Sequence, residues 1–492
     1  VHNPAAVPAL SFAPNARSLI KSSDTLAIIA PEAIFTRKAF PGLFEPSITD
    51  LLLDLASRVK PGDMGAAAST LTGGAPDRIF IGVLPNTVSR YNSPARPESV
   101  RRVVPAGDLL AANKPGILLV LDDPSHMLAA TVAVGRAFPE YTAKASGPST
   151  TAVRIAAIDR KGELIRPTPQ VTAALAASRA VTALVDTPPT DLGPAAYAAA
   201  AKALLKGLKG VKIREIVGDA LLKAKLAGIH TVGRCALEAP RMLIAEYNPG
   251  GRGKRRHIAL VGKGITYDTG GLNLKIQGSM SNMKCDMAGS AALLGAFRVL
   301  VESQCQHRVT LVLCIAENAI GPAAYKPDDI IHLHSGKTVE INNTDAEGRL
   351  LLADGVSYAA RELAADTIID AATLTGAQLI ATGLQHAVIV SNDDALERHF
   401  VAAGALSGDL VHPLPFAPEF FKSEFDSPVA DMCNSVRSRS NAPSACAAQF
   451  VYWQIEDTGA KWLHIDLAGP AFPKNRATGF GVALVAEAVQ TL

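Results

Sequence analysis

A two-domain α/β architecture, smaller first and larger second, is predicted by three features of the sequence. Its 492 residues exceed the size at which a single hydrophobic core stops growing. From about Thr25 onward, short apolar runs alternate with amphipathic stretches, the pattern of buried strands and covering helices. Two breaker-rich segments, residues 166–170 (RPTPQ) and 186–194 (DTPPTDLGP), then punctuate the chain before a second run of strands. These boundaries give an N-terminal α/β domain over 1–168, a linker helix and loop over 169–193, and a larger domain over 194–492.

In chain order, LAIIA (26–30), RIFIGVL (78–84), GILLVLD (116–122) and AVRIAAID (152–159) read as buried strands. Between them, Ser47 is placed to cap a helix whose apolar stripe is Ile48, Leu51, Leu52, Leu55 and Val59, and residues 126–138 supply another. This half carries no cluster of His, Cys or carboxylates, so a binding or assembly role is expected of it. The alanine-rich stretch ending near Leu184 reads as the joining helix. RMLIAEYN (241–248) and HIALVG (257–262) are strands that flank a basic run, GRGKRR (251–256). A solvated turn accounts for that run as well as a phosphate patch does.

Composition narrows the function classes. Charged residues make up 19% of the chain, with 39 Gly and 32 Pro, which describes a compact globular protein rich in turns. A net charge of +3 gives no general case for nucleic acid or for a membrane surface. Apolar runs such as 309–316 fall well short of a bilayer span. The six cysteines (Cys235, Cys285, Cys305, Cys314, Cys433 and Cys446) form no CxxC pair, which points to a reducing, cytoplasmic compartment. The segment before Asp24 carries Arg17, Lys21 and several serines, a faint likeness to an organelle transit segment that its prolines oppose.

The chemistry concentrates after His257. In NTDAEGRL (343–350), Asp345, Glu347 and Arg349 are spaced two apart, so an extended backbone would turn all three to one side. The β-branched run KTVEI (337–341) precedes them, and from Leu350 the apolar positions take a helical period, which places the acids at a strand-to-helix crossing. Ligands of α/β sheets bind in that crevice. Hard-cation binding beside an anion site and a helix-capping ion-pair cluster are both open on this stretch alone. Upstream, KGITYDTGGLNLK holds Lys263, Asp268 and Lys275 in one glycine-rich loop without the spacing of a P-loop. Asp286 stands at the start of an apolar helix, where an aspartate commonly serves as N-cap. Four carboxylates converging at one sheet edge repel strongly unless cations neutralise them.

With these segments in view, the sequence resembles the leucyl aminopeptidase family, the two-metal cytosol aminopeptidases. NTDAEGRL is the family signature. GKGITYDTGGLNLK, MKCDMAGSAA, the pair Glu317–Asn318, SGKTVE, DAATLTGA and WLHIDLAG follow in family order over roughly 186–492. The resemblance implies a catalytic domain with a mixed central β-sheet flanked by helices. It also implies removal of N-terminal, leucine-like residues from peptides with a free N-terminus. Two divalent ions per subunit (zinc, manganese or cobalt) are implied on Lys263, Asp268, Asp286, Asp345 and Glu347, with Asp268 and Glu347 bridging. Lys275 is implied to stabilise the oxyanion, and Arg349 to hold bicarbonate as a proton shuttle. Met283, Thr373, Leu374, Gly376 and Ala477 fall on positions lining the pocket for the first side chain. A homo-hexamer, built as a dimer of trimers, is the implied assembly.

Some positions depart from the family pattern: Thr269 stands for serine, Ala288 for glycine, and Cys235–Ala236 for a Gly-Ser pair. None removes a ligand. A different two-metal hydrolase such as a phosphoesterase is the competing enzyme reading, although it would normally offer histidine ligands. An added DNA-binding role is the non-catalytic one, with little support from the charge. His332 and His334 alternate on one strand but are not needed as ligands. His464 and Asp466 are expected to form a buried hydrogen-bonding pair.

Overall fold

The computed structural model describes residues 8–36, 40, 42–145, 149–250, 255–276 and 278–492, and divides into two compact units. The smaller contains the chain up to Arg179 together with Gly404–Leu410. The larger contains Ala180–Ala403 and Val411–Leu492. The division falls inside a long helix, Pro169–Asp186.

The first unit is built on a sheet whose strands run in the order Ala9–Phe12, Ala152–Ile158, Pro115–Val120, Thr25–Pro31, Arg78–Leu84 and Ala66–Leu71. Neighbours in this order are parallel except for the last, Ala66–Leu71, which is antiparallel. Every residue of Thr25–Pro31 and Pro115–Val120 is buried, as expected of strands covered on both faces. The edge strand Ala66–Leu71 instead alternates half-buried with exposed. From residue 8 on, the described part of the stretch with transit-segment character belongs to this fold. Ala9–Phe12 pairs with Ala152–Ile158, and the helix Ala16–Ser22 is capped by Asn15, whose Oδ1 accepts from the Ser18 amide at 2.8 Å.

One local expectation is corrected here. Helix Pro46–Ser57 starts one residue before Ser47. Glu45 takes the cap position and Pro46 the first turn, where its missing N–H costs nothing, so Ser47 does not cap. The unit also holds a charged cluster: Asp122 accepts from His126 Nδ1 at 2.7 Å and from Arg96 Nη1 at 3.2 Å. Burial works against that carboxylate, yet His126 and Arg96 hold its pKa down to about 2. Residues 251–254 of the basic run lie outside the described residues.

The second unit has a mixed eight-stranded sheet, as expected. The order is Val411–Pro413, Ala387–Ser391, Lys461–Asp466, Thr367–Ala372, His257–Asp268, Arg308–Asn318, Arg241–Tyr247 and Val211–Val217. The three central pairings, from Lys461–Asp466 across to Arg308–Asn318, are parallel, so their carboxyl ends share one edge. A small sheet of Ile330–His332, Thr338–Glu340 and Met432–Cys433 carries the chain into the signature turn. Helix Gly348–Arg361 is buried from Gly348 to Ala359. Its Asp354 accepts from the amides of Ile229 and His334, both at 3.0 Å, while burial pushes its pKa up to about 7. No helix among the described residues is long and apolar enough to cross a membrane. All six cysteines are free thiols.

Candidate metal centre

The central strand His257–Asp268 delivers two of the charged groups. Lys263 is almost completely buried within it, and Asp268 lies at its carboxyl end, after a register shift against Arg308–Asn318. The chain then reverses through Gly270, whose φ of +85° suits glycine. A Cβ there would lie 2.5 Å from Asn273 O and 2.9 Å from Asp345 Oδ1. Lys275 returns on this loop, its Nζ 2.8 Å from Asp268 Oδ2 and 2.6 Å from Asp345 Oδ1.

Asp286 comes from a 3-10 turn, Met283–Met287, ahead of helix Ala288–Glu302, and it is not the helix cap. Its Oδ1 lies 2.7 Å from Lys263 Nζ and accepts from Thr373 Oγ1 at 2.8 Å. Glu347 reaches the same ammonium at 2.9 Å, and the Thr373 carbonyl accepts from it at 3.0 Å. Asp345 and Glu347 do not alternate along an extended strand. The backbone turns at Thr344–Asp345, Ala346 N donates to Asn343 O, and Glu347 already has helical dihedrals (φ −76°, ψ −36°). Gly348 completes this entry. A Cβ there would sit 2.6 Å from Lys263 Cδ and Cε and 2.7 Å from Nζ, so glycine lets the helix begin against Lys263 without displacing the end of that side chain.

Distant side chains brace the turn. Asn434 Oδ1 accepts from the amides of Asn342 and Asn343, and its Nδ2 donates to Asn343 O at 2.7 Å. Its own carbonyl accepts from Arg349 Nη1 at 2.9 Å. Asn318 Nδ2 donates to Asp268 Oδ1 at 2.9 Å, and Tyr325 OH to Thr344 O at 2.6 Å. Of these, only Asn318 falls within a motif visible in the sequence. Asn434 and Tyr325 carry no local signal of this role.

The electrostatics follow from four carboxylates facing two ammonium groups in a largely buried site. Burial disfavours the Lys263 ammonium, yet Asp286, Glu347 and Asp268 hold its pKa above the ordinary value. Burial, then the neighbouring acids, pushes Asp286, Glu347 and Asp345 upward. Arg349 is lowered to about 10, first by burial. Burial and Asp286 raise the Cys285 thiol to about 12, which keeps it from acting as a thiolate near neutrality.

Among the described residues, Asp268, Asp286 and Glu347 each present a ligating oxygen within 4.8 Å of the others, all buried. Asp286 Oδ2 and Glu347 Oε2 are buried acceptors with no hydrogen-bond donor. A carboxylate oxygen stripped of water and left without a donor is costly, and a bound cation removes that cost. The donor set therefore fits a divalent metal. The residues line a cleft of about 940 Å³, which also includes Met283, Thr373, Leu374, Gly376, Lys275 and Arg349. Ala477 borders a separate void of about 10 Å³ with Ala288 and Phe480, outside that lining.

Two histidine expectations meet different outcomes. His334 Nδ1 lies 2.9 Å from Ser357 Oγ, away from the acids. His464 pairs with Asp370 at 2.5 Å rather than with Asp466, because Asp370 is its cross-strand neighbour and also accepts from Trp462 Nε1 at 2.7 Å.

Residues 179–486 match the family model described as cytosol aminopeptidase family, catalytic domain, and residues 56–147 match M17 aminopeptidase N-terminal domain 2. The chain belongs to the cytosol aminopeptidase family. A probable aminopeptidase of Homo sapiens is 42% identical over 90% of this chain and 85% of its own length. Leucine aminopeptidase 1 of Caenorhabditis elegans is 40% identical over 82% and 81%. Among solved structures, leucyl aminopeptidase from Trypanosoma cruzi aligns with a TM-score of 0.89 at 37% identity, covering 99% of this chain and 98% of that one. The Trypanosoma brucei enzyme in complex with bestatin also aligns at 0.89, with 34% identity over 99% and 96%. This family member is a metal-dependent exopeptidase acting at peptide N-termini. Neither the phosphoesterase nor the DNA-binding reading is favoured by these relatives.

Proposed function

We propose that the cleft removes leucine-like N-terminal residues from peptides, using two divalent ions held by Lys263, Asp268, Asp286, Asp345 and Glu347. The observation that carries this reading is the trio of buried carboxylates with two donorless oxygens at the carboxyl ends of parallel strands. Asp268 and Glu347 would be shared between the ions, with Lys263 and Asp286 on one and Asp345 on the other. An ammonium has no lone pair, so Lys263 would ligate as a neutral amine. When bound, such ions lower the pKa of water and neutralise developing charge. Zinc, manganese and cobalt all suit the role. A relative at 26% identity, the bottromycin maturation enzyme BotP, was solved in complex with Mn.

The chain's own groups do the rest. Lys275, whose ammonium lies against Asp268 and Asp345 in the cleft lining, would stabilise the oxygen that gains charge as the carbonyl is attacked. Arg349 would hold a bicarbonate ion, which would supply the site with a proton shuttle. In support, its buried guanidinium donates to the Asn434 carbonyl and, among the described residues, leaves Nε without an acceptor, which an anion would satisfy. Met283, Thr373, Leu374 and Gly376 form the first side-chain pocket. Ala477, which the family resemblance adds to this pocket, lies outside the cleft lining.

Metal analysis of the purified protein, combined with hydrolysis of free and N-acetylated leucine substrates, tests this reading. The substrate α-amine has a pKa of about 7.7 to 8.0, so its lone pair becomes available as pH rises through that range. Rising kcat/KM from neutral to moderately alkaline pH is therefore expected, with the acetylated substrate inert. Equal cleavage of both substrates would show that no free amine is required. A hexamer, arranged as a dimer of trimers in the cytoplasm, is the expected assembly. Multi-angle light scattering checks this, and a stable monomer at micromolar concentration contradicts it.

A further inference from the structure

Asp466 touches none of the charged groups at ion-pair distance, yet its contacts lead directly to them. It ends strand Lys461–Asp466 and is completely buried. Its Oδ1 accepts from the amides of Leu374 at 3.0 Å, Thr375 at 3.4 Å and Ala468 at 3.4 Å, and its Oδ2 accepts from Thr375 Oγ1 at 2.7 Å. The Thr375 hydroxyl is also 2.7 Å from Ser444 Oγ and accepts from the Gln378 amide at 3.1 Å. One carboxylate thus fixes the backbone that immediately follows Thr373. Thr373 is the residue whose carbonyl accepts from Lys263 and whose hydroxyl donates to Asp286. Among the described residues, Lys263 Nζ is shared between the Thr373 carbonyl, Asp286 and Glu347, and Asp286 Oδ1 between Thr373 and Lys263.

We infer that Asp466 is a positioning residue for the metal centre: by clamping residues 374–375 it sets Thr373 against both Lys263 and Asp286, and so orients the pair that serves one ion. The inference rests on the ligand set proposed above. Partners that orient ligands in this way typically contribute about 10–100-fold in metal affinity.

The test measures Mn²⁺ and Zn²⁺ dissociation constants of the full-length protein by chelator competition, alongside thermal unfolding. Asp466→Ala should weaken one of the two binding events by roughly 10–100-fold. Asp466→Asn keeps an acceptor for Leu374 N, and the Thr375 hydroxyl can turn to accept from its amide, so its affinity should return close to the parent's. A folded Asp466→Ala with parental affinity overturns the inference, as does Asp466→Asn losing as much as Asp466→Ala, which would make charge rather than hydrogen-bond geometry decisive. If the alanine variant does not fold, Thr375→Val, which removes the hydroxyl facing Oδ2, takes its place and must show weakened binding. Asp268→Ala run in parallel separates the two layers. Parental affinity in Asp268→Ala defeats the ligand assignment itself, whereas lost affinity there with parental affinity in Asp466→Ala defeats only the role given to Asp466.

Discussion

Asp268→Ala and Glu347→Ala are each expected to abolish peptide hydrolysis and to lower bound metal in the purified protein. Each removes an oxygen donor from the buried trio and leaves the opposing lysine with one partner fewer. The loss should exceed the roughly 10–100-fold typical of removing an outer partner of a ligand. Neither side chain contributes to an apolar core, and removing a carboxylate from an anionic cluster relieves repulsion, so unfolding should stay cooperative. Arg349→Ala is the contrast: it should keep metal and lose rate. Elemental analysis paired with kcat/KM separates the two patterns, and an acidic variant with full metal and normal turnover would falsify the ligand assignment.

Gly348→Ala should separate stability from activity. A Cβ at this position overlaps the outer atoms of the Lys263 side chain at 2.6–2.7 Å, its three nearest neighbours. The flexible end of Lys263 can move aside without disturbing the helix, and alanine favours a helix over glycine by up to about 1 kcal/mol. Thermal stability should hold or rise. Displaced by a few tenths of an ångström or more, the Lys263 nitrogen loses its setting among Asp286, Glu347 and the Thr373 carbonyl, and kcat/KM should fall by at least about tenfold. Parental activity in Gly348→Ala would mean that the placement of Lys263 is unimportant to turnover.

Much of this was legible from the residues alone because the strands, glycine loops and acidic turn are local patterns. Four strands of the N-terminal sheet, Thr25–Pro31, Arg78–Leu84, Pro115–Val120 and Ala152–Ile158, follow from short apolar runs, whereas Ala9–Phe12 and the half-exposed Ala66–Leu71 do not, and Asp268, Asp286 and Glu347 stand out as acids at element ends. What could not be read locally is how distant segments meet. Thr373 bonds Asp286 across 87 positions of sequence, and Asn434 bonds Asn343 across 91. Neither threonine nor asparagine advertises such a partner. The extended spacing inferred for Asp345 and Glu347 failed because the turn at Thr344–Asp345, braced by Asn434 and Tyr325, replaces strand alternation. His464 was matched to the wrong aspartate for a related reason: two positions along one strand is a nearer neighbour in sequence, but Asp370 is directly opposite in register.

The strand order also sets a timetable for biosynthesis. Lys461–Asp466 is inserted between Thr367–Ala372 and Ala387–Ser391, although it is made after both. While a ribosome is still short of Asp466, the nascent sheet has an open seam beside Thr367–Ala372, and the acids already synthesised lack the clamp on residues 374–375. Such unpaired edges and exposed apolar faces are the surfaces that chaperones cover and that otherwise aggregate. The larger unit therefore cannot close its sheet until residue 466 has been made, and a premature stop anywhere before residue 461 removes an interior strand instead of trimming an edge.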